Sequence, residues 1–192
     1  MLVRADRYLL DELLVLVCEH GHPPAVSYLL SIGADPARRG YRALHEACRA
    51  DQVGVVRVLV EHGVPRQVLV AAYHQACRSG NHRSARYLFR MVPWEASELE
   101  PCFLSACQGG HVEIVRSLSK EVQPRVLEAG YRVACDYWCP EVIHLLQGDI
   151  PGVVRREEAQ RFMEVFRRRY PAGVEDPSTI DQITSGGDVQ TA

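Results

Sequence analysis

Cys18, Cys48, Cys77, Cys107 and Cys135 recur at intervals of 30, 29, 30 and 28 residues, and four of the five follow an alanine. A near-constant interval of this size restricts the chain to an array of stacked supersecondary units, each burying its apolar face against its neighbours. Downstream of each cysteine runs an apolar stripe at helical spacing: PPAVSYLL, VGVVRVLV, HRSARYLF, HVEIVRSL and PEVIHLL. A proline (Pro36, Pro65, Pro93, Pro124, Pro151) then precedes the next unit, where its fixed φ and missing donor suit a helix exit. Each unit is therefore expected to be two short helices joined by a tight turn. Gly21, Gly80 and Gly110 supply the left-handed residue such a turn needs, and Asp51 and Trp138 stand at that place in the other two units.

The stretch RALHEACRADQVGVVRVLVEHG, from Arg42 to Gly63, resembles an ankyrin repeat, whose pattern runs TPLHxAAxxGHxxVVxLLLxxGA. Leu44, His45, Ala47, Val55, Val56, Leu59 and Gly63 fall on matching positions, as does GHPPAVSYLLSIGAD in the preceding unit. The third unit keeps His74, Ala76, Gly80 and Asn81, and the fourth keeps Ala106, Gly110 and His111, so the resemblance spans residues 11–150. It implies an all-α, ankyrin-type solenoid. A family repeat usually has about 33 residues, whereas Gly33 to Leu44 is three residues shorter than the matching stretch. That stretch forms the β-hairpin finger in the family, so short or absent fingers are expected.

The sequence divides accordingly. Residues 1–10 are expected to form or lead into an N-terminal cap, 11–150 to form five repeats, 151–170 an amphipathic capping helix, and 171–192 a disordered polar tail without Lys or Arg. A net charge of -2 argues against general attraction to nucleic acid or anionic membrane. No apolar run reaches the length of a membrane span, and MLVRADRYLL lacks the build of a signal peptide, so the expected location is cytoplasmic or nuclear.

Little points to chemistry. Equivalent residues on stacked helices sit about 8 to 10 Å apart, beyond the roughly 7 Å between Cα atoms that a disulfide allows, so the periodic thiols are expected reduced and buried. Cys135 and Cys139, four apart with His144 nearby, make the sole hint of a metal or redox site; without a second ligand pair they favour packing, and no metal or cofactor is expected. His45 and His74 match the turn histidine of the family, and His111 its Gly-His pair. The other five histidines lack a paired acid and nucleophile, and no phosphate-cradling glycine loop or H-E-x-x-H pattern occurs, so no enzymatic activity is expected.

All but one of the 22 basic residues are arginine, Lys120 being the exception. Arg57, Arg86 and Arg116 share one column of the second helix, a solvated outer face or, alternatively, a row for phosphates or nucleic acid. The resemblance implies binding of another protein on the concave face, at residues just after the small pair and just before the helix: Glu19, His20, Tyr41, Arg49, Arg78, Gln108, Asp136 and Tyr137. Arg49 and Arg78 together would suit an acidic segment of a partner. Trp94 and Trp138 are aromatic candidates, each also readable as a cover for the core. A monomeric adaptor is the expectation; the alternative within the family is a substrate-receptor subunit of a ubiquitin ligase, for which no F-box or SOCS-type motif is evident after residue 150.

Overall fold

The computed structural model describes residues 2–152 and 160–161. Among these are ten helices and no strand: α1 Leu2–His20, α2 Pro23–Ser31, α3 Arg38–Arg49, α4 Val53–Gly63, α5 Arg66–Ser79, α6 His82–Met91, α7 Ala96–Gln108, α8 Val112–Leu118, α9 Pro124–Asp136 and α10 Pro140–Leu146. The odd-numbered helices pack in sequence as one layer, the even-numbered ones as a second, and each odd helix packs on the even helix that follows it. This is the all-α stack expected, with the fingers absent. Residues 2–10 are the first turns of α1, continuous with the first repeat. Most of the proposed capping helix at 151–170, and all of the tail at 171–192, lies outside the described residues.

The cysteine and alanine columns are the seam of the odd-helix layer. Ala47, Ala76, Ala106 and Ala134 are fully buried, as are Cys18, Cys48, Cys77 and Cys107, while Cys135 is 9% exposed. Small side chains are required here because one helix lies directly on the next. The tightest approach is at Gly130, where a Cβ would collide with the Phe103 ring and lie 3.0 Å from Cys107 Sγ. Leu14, Leu44, Tyr73, Phe103 and Tyr131, four residues before each cysteine, fill the space between layers.

Each inter-helix turn uses one left-handed residue, at the five positions read from the sequence: Gly21 (φ 77°), Asp51 (52°), Gly80 (77°), Gly110 (70°) and Trp138 (58°). Asp51 recovers part of its strain, since its Oδ1 accepts the Ser84 amide at 2.8 Å and so caps the start of α6. In the third, fourth and fifth repeats the residue after the turn reaches back one repeat to a carbonyl at the end of an odd helix. Asn81 Nδ2 donates to the Cys48 and Arg49 carbonyls (2.6 and 2.9 Å), His111 Nε2 donates to the Arg78 carbonyl (3.0 Å), and the Cys139 thiol lies 3.6 Å from the Gln108 carbonyl. Orphan carbonyls at helix ends thereby become inter-repeat ties.

The shortened stretch Gly33–Leu44 shows what the missing residues cost. Arg39, Gly40 and Tyr41 are all left-handed (φ 54°, 65° and 61°), one reversed turn inside α3, at about 1 to 2 kcal/mol for each non-glycine residue. The turn is held by α1. Asp11 accepts the Asp35 amide at 2.8 Å and pairs with Arg38 at 2.7 Å, while Arg39 pairs with Glu12 at 2.8 Å and donates to the Tyr8 hydroxyl at 2.7 Å.

Adding one methyl group at the seam is expected to be costly. Gly130→Ala should destabilise by about 1 to 3 kcal/mol despite the better helix propensity of alanine, whereas Gly148→Ala, with open space around it, should be near neutral. Thermal melts of the two variants check this; equal effects would contradict the seam.

Candidate interaction surface

No paired acid and nucleophile converges among the described residues, and no group of three or more metal-ligating side chains occurs among them. Cys135 is buried in the stack, and the Cys139 thiol faces the Gln108 and Tyr137 carbonyls. Burial pushes the Cys18, Cys48 and Cys107 thiols up to about 12, with Asp51 adding to the effect at Cys48 and Cys139 at Cys107. Cys77 is raised further still, by hydrogen bonding to Cys102 and by burial. These are packing thiols. His74, at the turn-histidine position, has Nε2 3.2 Å from the Ser105 hydroxyl of the next repeat.

The exposed residues at the C-terminal ends of the odd helices form a strip along the stack: His20, Arg49, Arg78, Ser79, Gln108, Gly109, Asp136, Tyr137 and Trp138, with Glu19 half-buried beside it, whereas the half-buried Tyr41 lies at the opposite end of α3, in the reversed turn. The order of odd-helix packing brings these residues into line although they lie about thirty residues apart in sequence. His20 Nδ1 donates to the Leu16 carbonyl of its own helix at 2.8 Å while the residue stays exposed. Arg49 is not a free cation. Its Nη2 meets Glu19 Oε1 and its Nε meets Glu46 Oε2, both at 2.6 Å, and these hydrogen bonds, Glu46 first, hold the guanidinium protonated more firmly than usual. Among the described residues Arg78 has no side-chain partner, so of the two arginines it is the one with an uncommitted positive charge there. Asp136 lies 3.7 Å from Arg161.

The two tryptophans part company. Trp94 does not project: its ring stacks on Tyr73 with centroids 4.3 Å apart, and Nε1 donates to the Phe89 carbonyl at 2.9 Å. Tyr73 is 1% exposed, so Trp94 closes the core between the third and fourth repeats, a correction to its reading as an exposed anchor. Trp138 and Tyr137 are 55% and 57% exposed, side by side at the turn of the fifth repeat. Trp138 holds a left-handed conformation that a bulky residue adopts only under constraint.

Across the molecule, Arg57, Arg86 and Arg116 are exposed on the even-helix layer, where Arg116 and His144 border an open depression of about 680 Å³. At the N-terminal ends of α5 and α7, Arg66 grips Glu98 through two hydrogen bonds of 2.6 and 2.8 Å and donates to the Pro93 carbonyl. Glu98 also accepts the Glu95 amide, completing the capping box of α7. Hydrogen bonding by Arg66, then by the Glu95 amide, lowers the Glu98 carboxyl to about 2.

Residues 4–69 match the family model for ankyrin repeats (3 copies). The structure is similar to the crystal structure of the human ASB11 ankyrin repeat domain, at 20% sequence identity and a TM-score of 0.56 over 85% of each chain. The fold is thus that of an ankyrin repeat domain. Comparison with curated proteins gives no match.

Two outcomes follow. In native thiol labelling Cys139 should react first, and Cys18, Cys48, Cys77, Cys102 and Cys107 only after denaturation; rapid native labelling of the latter group would place them outside the stack. Because the folded Glu98 value is depressed, its stabilising contribution is present above the unfolded value near 4.5 and fades as pH falls towards 2. Glu98→Gln should therefore lower Tm at pH 7 and have little effect near pH 2. A pH-independent Tm difference would contradict the Arg66 grip.

Proposed function

We propose that the protein is a non-enzymatic interaction module that binds another protein along the odd-helix strip, the concave face of the family fold. The observation that carries this reading is the exposed Tyr137 and Trp138 pair, with Trp138 kept in a backbone conformation for which three of the other four turns use glycine. A strained, exposed aromatic is retained at a cost to stability, and exposed Trp and Tyr are favoured binding anchors. Arg78 and Gln108 supply polar contacts nearby on the strip. Because Arg49 is held by Glu19 and Glu46, an acidic partner segment would centre on Arg78 and would meet Arg49 only by displacing those carboxylates.

The test separates stability from binding. Trp138→Gly should stabilise the fold by about 1 to 2 kcal/mol while weakening partner binding by about 1 to 4 kcal/mol. In affinity capture, partners should be lost with Arg78→Glu plus Tyr137→Ala and kept with Arg57→Glu, Arg86→Glu and Arg116→Glu. Partners lost only with the outer set would move the interface to the even-helix layer.

A further inference from the structure

Two columns of the odd helices face one another across each repeat boundary. A Cβ at Gly130 would lie 3.0 Å from Cys107 Sγ, so the position five residues before a periodic cysteine looks backwards along the stack, onto the cysteine of the preceding repeat. The boundaries thus pair Cys18 with Ala43, Cys48 with Ala72, Cys77 with Cys102 and Cys107 with Gly130, and all eight residues are buried. Three of the cysteines face alanine or glycine. One faces a second thiol.

Packing alone does not call for a cysteine at 102, since alanine serves at the same place in the second and third repeats. The side chains there form a buried chain of hydrogen bonds: the Tyr73 hydroxyl donates to the Cys77 thiol, Cys77 to the Cys102 thiol, and Cys102 to the Glu98 carbonyl at 3.2 Å. The spacing of about 8 to 10 Å that forbids a disulfide applies to equivalent residues of one column. It does not apply here, because Cys102 stands in the column that Cys77 faces. Across a disulfide each Cβ lies about 3 Å from the partner sulfur, which follows from an S–S bond of about 2.04 Å. The 3.0 Å at Gly130 shows that the two columns can approach to that separation.

We propose that Cys77 and Cys102 are a disulfide-forming pair that latches the third repeat to the fourth, the oxidant being a small-molecule disulfide such as oxidised glutathione. One protein thiol loses its proton and attacks the external disulfide, which releases one thiol and leaves a mixed disulfide. The other protein thiol loses its proton and displaces the second external thiol. Two protein thiols and one external disulfide thereby become one protein disulfide and two external thiols, with the two protons ending on the released thiols. Burial keeps both cysteines protonated and out of reach, so exchange passes through opening of the boundary between the two repeats. The same packing shields the link from reductants once it has formed. Cys77 directly precedes Arg78, and Cys102 lies on the helix that ends at Gln108, so the latch fixes the middle of the odd-helix strip whatever the strip binds.

The test is to incubate the full chain with excess oxidised glutathione at a series of urea concentrations up to the unfolding midpoint, remove the urea, block free thiols and map the peptides by mass spectrometry. A link between Cys77 and Cys102 should form faster as urea rises, should be reversed by dithiothreitol after unfolding, and should raise Tm by about 5 to 10 °C. Cys102→Ala carries the residue that two other repeats place there and should show neither link nor shift; Cys77→Ala should do the same. Recovery of both cysteines as free thiols at every urea concentration, their linkage mainly to other cysteines, or a link that leaves Tm unchanged would overturn the proposal.

Discussion

The close approach of neighbouring odd helices is the constraint from which the rest of the molecule follows. At about thirty-residue intervals one helix must lie on the next with only alanine, cysteine or glycine between them, and Gly130 against Phe103 shows how little room remains. Once that seam is fixed, the left-handed turns fall at one end of the layer, and the residue after the third, fourth and fifth turns is delivered to a carbonyl of the previous repeat. The strip of exposed residues at the helix ends is a by-product of the same register. Packing comes first, and the binding face is whatever the packing leaves at its edge.

Strain within this stack is concentrated at three places, and they differ in kind. The reversed turn at Arg39, Gly40 and Tyr41 takes up a shortened connection and is held by Asp11, Glu12 and Tyr8. Two guanidinium groups lie about the Tyr8 ring, at 5.5 and 5.4 Å from its centroid, which adds a cation–π contribution to that clamp. The turn at Asp51 is likewise supported by the bond to the Ser84 amide. Trp138 holds its left-handed conformation with a ring that is more than half exposed. That exposure is the reason to seek function at the fifth repeat.

The sequence exposed the periodic part of this design and concealed the rest. Cysteine, alanine and turn positions repeat because the packing repeats, so Asp51 and Trp138 could be assigned to glycine places before any coordinates. Pairings between repeats leave no such trace: Arg49 with Glu19 and Arg66 with Glu98 join residues about thirty apart, and in one sequence they look like scattered charge. Trp94 could be read either as an anchor, from its polar neighbours, or as a cover, because the ring that receives it, Tyr73, lies in the previous odd helix. The first helix was half legible. The leucines of RYLLDELLVLV make this stretch apolar, but which of them face outward depends on knowing which columns look backwards along the stack.

Replacing Gln108 on the odd-helix strip and, separately, Arg86 on the even-helix layer with a photoreactive amino acid, then irradiating each protein in cell extract, tests the central claim most directly. Both positions are exposed, so each reports on its own surface without disturbing the seam. The account predicts a discrete covalent adduct with another protein from position 108 and only diffuse background from position 86. A discrete adduct from position 86 with none from position 108 would contradict it.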